Sequence, residues 1–164
     1  MLITKMRSRE CRGLLSRLGF GRLACVNNNR PYIVPIYFSY DSERLYCFST
    51  LGQKIEWMRE NPLVCIEVDE ILGHDNWMSV VALGHYLEFS NTPKGAKGRE
   101  YVRSLIEKRP LWWQSGYTAS QVRQKRKRVV PIFYCIQLEE ITGVRGSPDT
   151  RDKVNAPRGA IPRT

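Results

Sequence analysis

A chain of 164 residues, 42% of them apolar, has the size of one domain and enough apolar material to bury a core. No run of about 18 apolar residues occurs, so no transmembrane helix is expected, and Met1 to Leu15 lack the apolar segment and cleavage site of a secretory signal, which points to a cytoplasmic protein without a membrane partner. The formal net charge is +10, but residues 1–90 hold ten basic and ten acidic residues and the whole excess lies in 91–164.

Arg7 to Leu18 reads as a helix, with Cys11, Leu14, Leu15 and Leu18 at helical spacing and Gly19 placed to end it. Gly21 to Val26 reads as a strand, "NNNRP" as a turn, and "YIVPIYFSY" as a second strand rich in β-branched and aromatic residues. After "DSER", "LYCFS" is a third strand. Short turns join these three, so an antiparallel meander is expected. Lys54 to Glu60 is a short helix stopped by Asn61-Pro62. "LVCIEVDEI" is a fourth strand, and Trp77 to Phe89 a long fifth one bent at Gly84. Tyr101, Val102, Leu105 and Ile106 mark a helix over 92–109. The segment "LWWQSGYTASQVRQKRKR" shows no clear period, and "VVPIFYCIQLEEITGV" is a sixth strand. The domain spans 1–145, and 146–164 reads as a flexible basic tail.

One sheet of about six strands with so few helices cannot cover both its faces. Curling into a mainly antiparallel β-barrel solves this and removes the edges.

Five cysteines, an odd number with no CxxC pair, read as small buried hydrophobes in a reducing compartment. No cysteine lies at ligand spacing from His74 or His85, so no metal site is expected. The run Arg123 to Arg128 reads as a solvated face. Its alternative is a nucleic-acid surface with Trp112, Trp113 and Tyr117 as stacking groups, which the balanced first half disfavours.

The stretch "FSTLGQKIEWM" runs from a strand end into a helix start. A helix N-terminus offers unbonded amides, Ser49 and Thr50 add hydroxyls, and Gly52 lets a ligand approach the backbone. Lys54 at that end opposes the helix dipole by roughly 0.3–1 kcal/mol, and a bound phosphate would reverse the sign. The competing reading is an ordinary Ser/Thr cap beside an exposed lysine. The pattern is not a P-loop, because GxxxxGK[ST] is absent. Pro35, in mid-strand, belongs on an edge or at a bulge. A break there would free backbone groups of Ile36 and Tyr37 for a ring system; a plain edge strand is the alternative.

The ordered set "RPYIVPIYFSYDSERLYCFSTLGQKIEWMRENPLVCIEVDE", then "WMSVVALGHYLEF", then more weakly "PIFYCIQLEEITG", resembles the flavin-binding proteins related to pyridoxamine 5′-phosphate oxidase, nearest the branch with the nitroimidazole-resistance proteins. The resemblance implies a split β-barrel, a homodimer, and FMN at the subunit interface. It implies ring contacts at Val34, Pro35, Ile36 and Tyr37, and phosphate contacts at Ser49, Thr50, Gln53 and Lys54. It further implies cofactor contacts at Trp77, Ser79 and Val80 on a strand that reaches across the dimer, and a late aromatic, Trp112 or Trp113, near the flavin. Phe48 stands where many relatives carry a histidine, and the terminal tryptophan–arginine pattern of true pyridoxamine phosphate oxidases is missing after Phe133, so that activity is not expected. The expected function is an FMN-dependent oxidoreductase acting on a small-molecule substrate, with no acid or base assigned. A flavin or haem carrier or sensor without turnover is the alternative.

Overall fold

The computed structural model describes residues 1–107 and 130–149. Eight strands and three α-helices follow one another as β1 (Leu2–Lys5), α1 (Ser8–Leu18), β2 (Phe20–Asn27), β3 (Arg30–Tyr37), β4 (Ser39–Asp41), β5 (Arg44–Ser49), α2 (Gln53–Glu60), β6 (Leu63–Gly73), β7 (Asn76–Glu88), α3 (Ala96–Glu107) and β8 (Ile132–Ser147). A single 3-10 turn, Pro93–Gly95, precedes α3, so the helix expected over 92–109 starts later than its periodicity predicts.

Local chemistry explains the punctuation. Glu10 accepts from the Arg7 amide at 2.8 Å and caps α1, and Gly19 closes it in the left-handed region at φ 64°. Asn28 and Asn29 both take positive φ, the two-residue turn whose twist suits a hairpin. Ser42 and Glu43 do the same between β4 and β5, which is unusual for these residue types. Glu43 is held there by Arg12 at 2.6 Å and the Tyr40 hydroxyl at 2.8 Å.

The strands form one antiparallel sheet in the order β3-β2-β6-β7-β8-β5-β4, with β1 on the far half of β8. Its two end strands, β3 and β4, are consecutive in the chain and separated only by Phe38. A sheet whose opposite ends are joined by one residue has to curl, and this makes the barrel. Phe38 turns the corner, buried, with its amide on the Gly19 carbonyl at 3.0 Å.

Two expectations need correction. Among the described residues there are eight strands rather than about six, because β1 pairs with β8 and "YIVPIYFSY" is cut at Phe38 into β3 and β4. The first three expected strands do not form a meander: β5 pairs with β4 and β8, not with β3. Phe38 and Ser39 are both buried, so the inside–outside alternation fails at that step and the chain leaves one end of the sheet for the other. The final strand also continues through Gly146 and Ser147, which pair with Ile3 and Leu2.

The bend expected at Gly84 is a bulge: Leu83 pairs with Glu140 and Gly84 with Leu138, leaving Glu139 over. The barrel interior is filled by Leu23, Leu45, Ile66, Val68, Val80 and Ile136, all with no exposed surface. A second cluster lies outside, where α3 sets Val102 against Tyr46, Phe133 and Cys135 on β5 and β8. Burying that valine is worth about 1.5–3 kcal/mol.

Candidate functional site

The junction from β5 into α2 is built from the barrel end upward. Ile55 and Met58 are fully buried there, and Trp57 meets Tyr32 edge-on at 5.6 Å. At the far end of α2, the Asn61 amide closes on the Trp57 carbonyl at 2.8 Å and the Asn61 side chain donates to Val26 at 3.0 Å. The helix is therefore fixed on its apolar face and at its C-terminus, while its N-terminus is left open.

That N-terminus is capped by Gly52 with no side-chain cap. The amides of Ile55 and Glu56 bond to the Gly52 carbonyl at 2.9 and 3.1 Å, so those of Gln53 and Lys54 have no intrahelical acceptor. Ser49 is half-buried and Thr50 exposed. Neither hydroxyl caps α2, so the ordinary-cap reading fails. A Cβ built on Gly52 would meet nothing within 4 Å, so the approach to these amides is clear.

Lys54 is half-buried, not exposed. Desolvation pulls its ammonium below the usual lysine value, with smaller opposing contributions from Cys47 and Cys25. Among the described residues no carboxylate pairs with it. A cation that has lost much of its water and has no anionic partner is poised to take an anion. The open amides beside it carry the same sign of field.

The other expected contacts divide. On β3 the pairing with β2 is continuous from Phe20–Tyr37 to Asn27–Arg30, so no break occurs at Pro35. The Phe38–Gly19 bond sets the alternation: Tyr32, Val34 and Ile36 turn their backbone groups to β2, and Pro31, Ile33, Pro35 and Tyr37 turn theirs away. The Ile36 backbone therefore belongs to Gly21, which corrects the expectation that it is freed. Pro35 sits at an outward position of the end strand, where its missing N–H breaks no ladder bond. Val34 and Ile36 point into the barrel, and the Tyr37 ring packs on Phe20 at 4.7 Å.

On β7, Val80 has no exposed surface and its side chain belongs to the core, so it offers no side-chain contact to a cofactor within this chain. Trp77 and Ser79 face outward into a cleft of about 540 Å³ with Arg22, Glu67, Asp69 and His74. The Ser79 hydroxyl donates to Glu67 at 2.9 Å, and Arg22 bridges Glu67, at 3.0 Å, and Asp69. Lys54 does not line this cleft. Within one chain, then, Ser49, Thr50, Gln53 and Lys54 come together, and Trp77 with Ser79 stands apart from them.

Sequence reading missed the Arg22–Glu67–Asp69 wall. The signal was present: Arg22 lies at an outward position of β2, directly opposite Glu67. Phe48 packs with Phe133 at 6.2 Å in the cluster under α3, on the outer side of β5. Trp112, Trp113, Tyr117 and the run 123–128 lie outside the described residues.

Residues 7–145 match the family model described as pyridoxamine 5′-phosphate oxidase. An uncharacterized protein of Rhizobium meliloti (strain 1021) is 38% identical over 143 residues, which cover 87% of this chain and 95% of that protein. The crystal structure of a FAD-binding protein from Mesorhizobium loti matches with a TM-score of 0.74 at 35% identity, covering 90% of this chain and 100% of that one. A Bacteroides thetaiotaomicron structure named for 5-nitroimidazole antibiotic resistance matches with a TM-score of 0.61 over 89% of this chain and 90% of its own, and at 16% identity the likeness is one of fold.

Proposed function

The chain belongs to the pyridoxamine 5′-phosphate oxidase family, and from that premise we propose that it is a flavoprotein that takes FMN by its phosphate at the start of α2 and acts as an oxidoreductase on a small molecule. The observation that carries this is Lys54: half-buried, short of a carboxylate partner among the described residues, and set beside the open amides of Gln53 and Lys54. A phosphate monoester, with a charge of about −1.5 to −2 near neutral pH, answers both the ammonium and the helix dipole. The Mesorhizobium loti relative is named for FAD. FMN is preferred because its terminal phosphate concentrates more charge at one point than either phosphate of a dinucleotide.

The residues present fit that group. Ser49 and Thr50 stand at the same junction with hydroxyls not spent on capping. Pro35 and Tyr37 present the outward edge of β3, the surface on which the ring would lie, with Val34 and Ile36 behind it. The flavin supplies electron transfer when bound; the chain supplies binding, orientation and a dry wall.

A homodimer fits the outer face of the sheet. Ile33, Ala24, Cys65 and Leu83 are cross-strand neighbours in one row over β3, β2, β6 and β7. Ile33 is 65% exposed and Leu83 38%. An apolar row of this kind is what a second copy would cover. Trp77 and Ser79 lie on the same outer side, so a dimer formed there is the arrangement in which their cleft joins a site that Lys54 begins. Five free cysteines suit a reducing, cytoplasmic compartment.

The visible absorption spectrum of purified protein tests the reading. A flavin band that NAD(P)H bleaches and an acceptor restores supports the oxidoreductase. A flavin band that no donor bleaches supports a carrier or sensor. A colourless protein that ignores added FMN overturns both.

A further inference from the structure

The cleft on the outer face of the sheet, about 540 Å³ in volume, has the size of a small-ligand site. Its lining comes from three neighbouring strands. Arg22 of β2 stands opposite Glu67 of β6, and Asp69 and Ile71 of β6 stand opposite Ser79 and Trp77 of β7. Directly paired residues share a face, so these side chains project to the same side.

The polar lining is unevenly spent. Glu67 uses both oxygens, one accepting from the Ser79 hydroxyl at 2.9 Å and the other from Arg22 at 3.0 Å. Asp69 gives one oxygen to the same Arg22 nitrogen, and among the described residues its second oxygen has no partner. Asp69 is also the deeper of the two carboxylates, 23% exposed against 32% for Glu67, so water screens it less. Two carboxylates share one guanidinium, and the wall keeps a net negative charge.

The apolar lining is set by a glycine. Trp77 pairs with Gly146 of β8, where a Cβ would stand 2.5 Å from the indole nitrogen. Only glycine lets the ring lie so close to that strand, and backbone rather than a movable side chain fixes where it rests. Asp69 and Trp77 are diagonal neighbours on β6 and β7, about 7–8 Å apart by sheet geometry. One small ring bearing a charged group spans that distance.

We propose that this cleft is a binding site for a small planar aromatic cation, an amidinium or a protonated aromatic amine, with Asp69 taking its N–H groups and Trp77 its ring. Charged N–H donors suit the uncommitted Asp69 oxygen and the net charge of the wall. The indole adds apolar contact and an attraction for the cation. An anion of the same shape meets two carboxylates and is turned away. The inference rests on the flavin reading only for calling this cation the substrate of the oxidoreductase.

Benzamidine is the probe, and benzoate its counterpart of similar shape and opposite charge. Full-length protein with ¹⁵N-labelled tryptophan is titrated with each by NMR at low ionic strength, and Trp77→Phe assigns the indole signal. Benzamidine moves the Trp77 signal to saturation and binds about tenfold more tightly than benzoate. Asp69→Asn keeps the side-chain shape and weakens benzamidine about tenfold. A Trp77 signal that benzamidine leaves in place overturns the proposal. So does a benzoate affinity that equals or exceeds that of benzamidine, or a benzamidine affinity unchanged in Asp69→Asn. Should that variant fail to fold, the two probes on wild type still decide. Wild-type protein that ignores FMN overturns the flavin reading instead, and the benzamidine titration stands apart from it.

Discussion

Arg59 holds both carboxylate oxygens of Glu88 at 2.8 Å and so ties the last turn of α2 to the end of β7. The Tyr86 hydroxyl shares the same carboxylate from inside the barrel. The helix that presents Lys54 is thereby anchored to the sheet at the end opposite its open amides.

Arg59→Ala releases that anchor. The pair is partly solvated, so the cost is modest, about 1 kcal/mol, and the melting temperature drops by about 2–4 °C for a chain of this size. Calorimetry on the purified protein reads it. An unchanged melting temperature would show that Ile55 and Met58 hold α2 unaided.

The same carboxylate gives an acid limb. The Arg59 bond, then that from Tyr86, holds Glu88 below its ordinary value, with desolvation opposing. A carboxylate depressed in the folded state contributes stability that is present above its unfolded value and is lost as pH falls through the folded value. Wild type should lose stability over that acidic window, and Glu88→Gln should lose less there. Equal acid limbs would remove Glu88 from the set of linked groups.

Gly84 of β7 lies opposite the bulge at Glu139 in β8, and a Cβ there would run into the Gln137 carbonyl. Backbone cannot step aside as a side chain can. Gly84→Ala is therefore expected to destabilise by about 1–3 kcal/mol, measured by urea unfolding. A midpoint equal to wild type would mean that β8 yields at the bulge.

Leu83 sits in the exposed apolar row with Ile33, Ala24 and Cys65. If a second copy covers that row, Leu83→Arg puts an unpaired cation in the interface and shifts the protein to monomer in sedimentation experiments. A wild-type protein that is already monomeric, or a variant that still dimerises, would move the interface elsewhere.

Local chemistry made some features legible in the sequence and hid others. The bounds of α2 were readable because Gly52 opens it and Asn61-Pro62 stops it, and both act on their own neighbours. The cut at Phe38 was not, since "YIVPIYFSY" is apolar or aromatic apart from Ser39 and nothing in it announces that the strand changes ends of the sheet. The pairing of β5 with β8 joins segments far apart in the chain, beyond the reach of any local period. The burial of the Val80 side chain was legible: Met78, Val80 and Ala82 alternate with Trp77, Ser79 and Val81, and that period of two turns Val80 to the core. Lys54 was found by its oddness at a helix start. Its depth follows from a barrel that only the long-range pairing creates.

The account turns on Lys54, and a titration of wild type and Lys54→Met with FMN tests it most directly. A base whose folded value is depressed by burial costs stability while it is charged, and the cost disappears as pH rises through that value toward its unfolded one. Without flavin, Lys54→Met should therefore melt at the wild-type temperature or above it. With flavin, it should lose about 1.5–3 kcal/mol of FMN binding, the range of a charge-assisted hydrogen bond. Equal FMN affinity in the two proteins would contradict the claim that this lysine holds the phosphate.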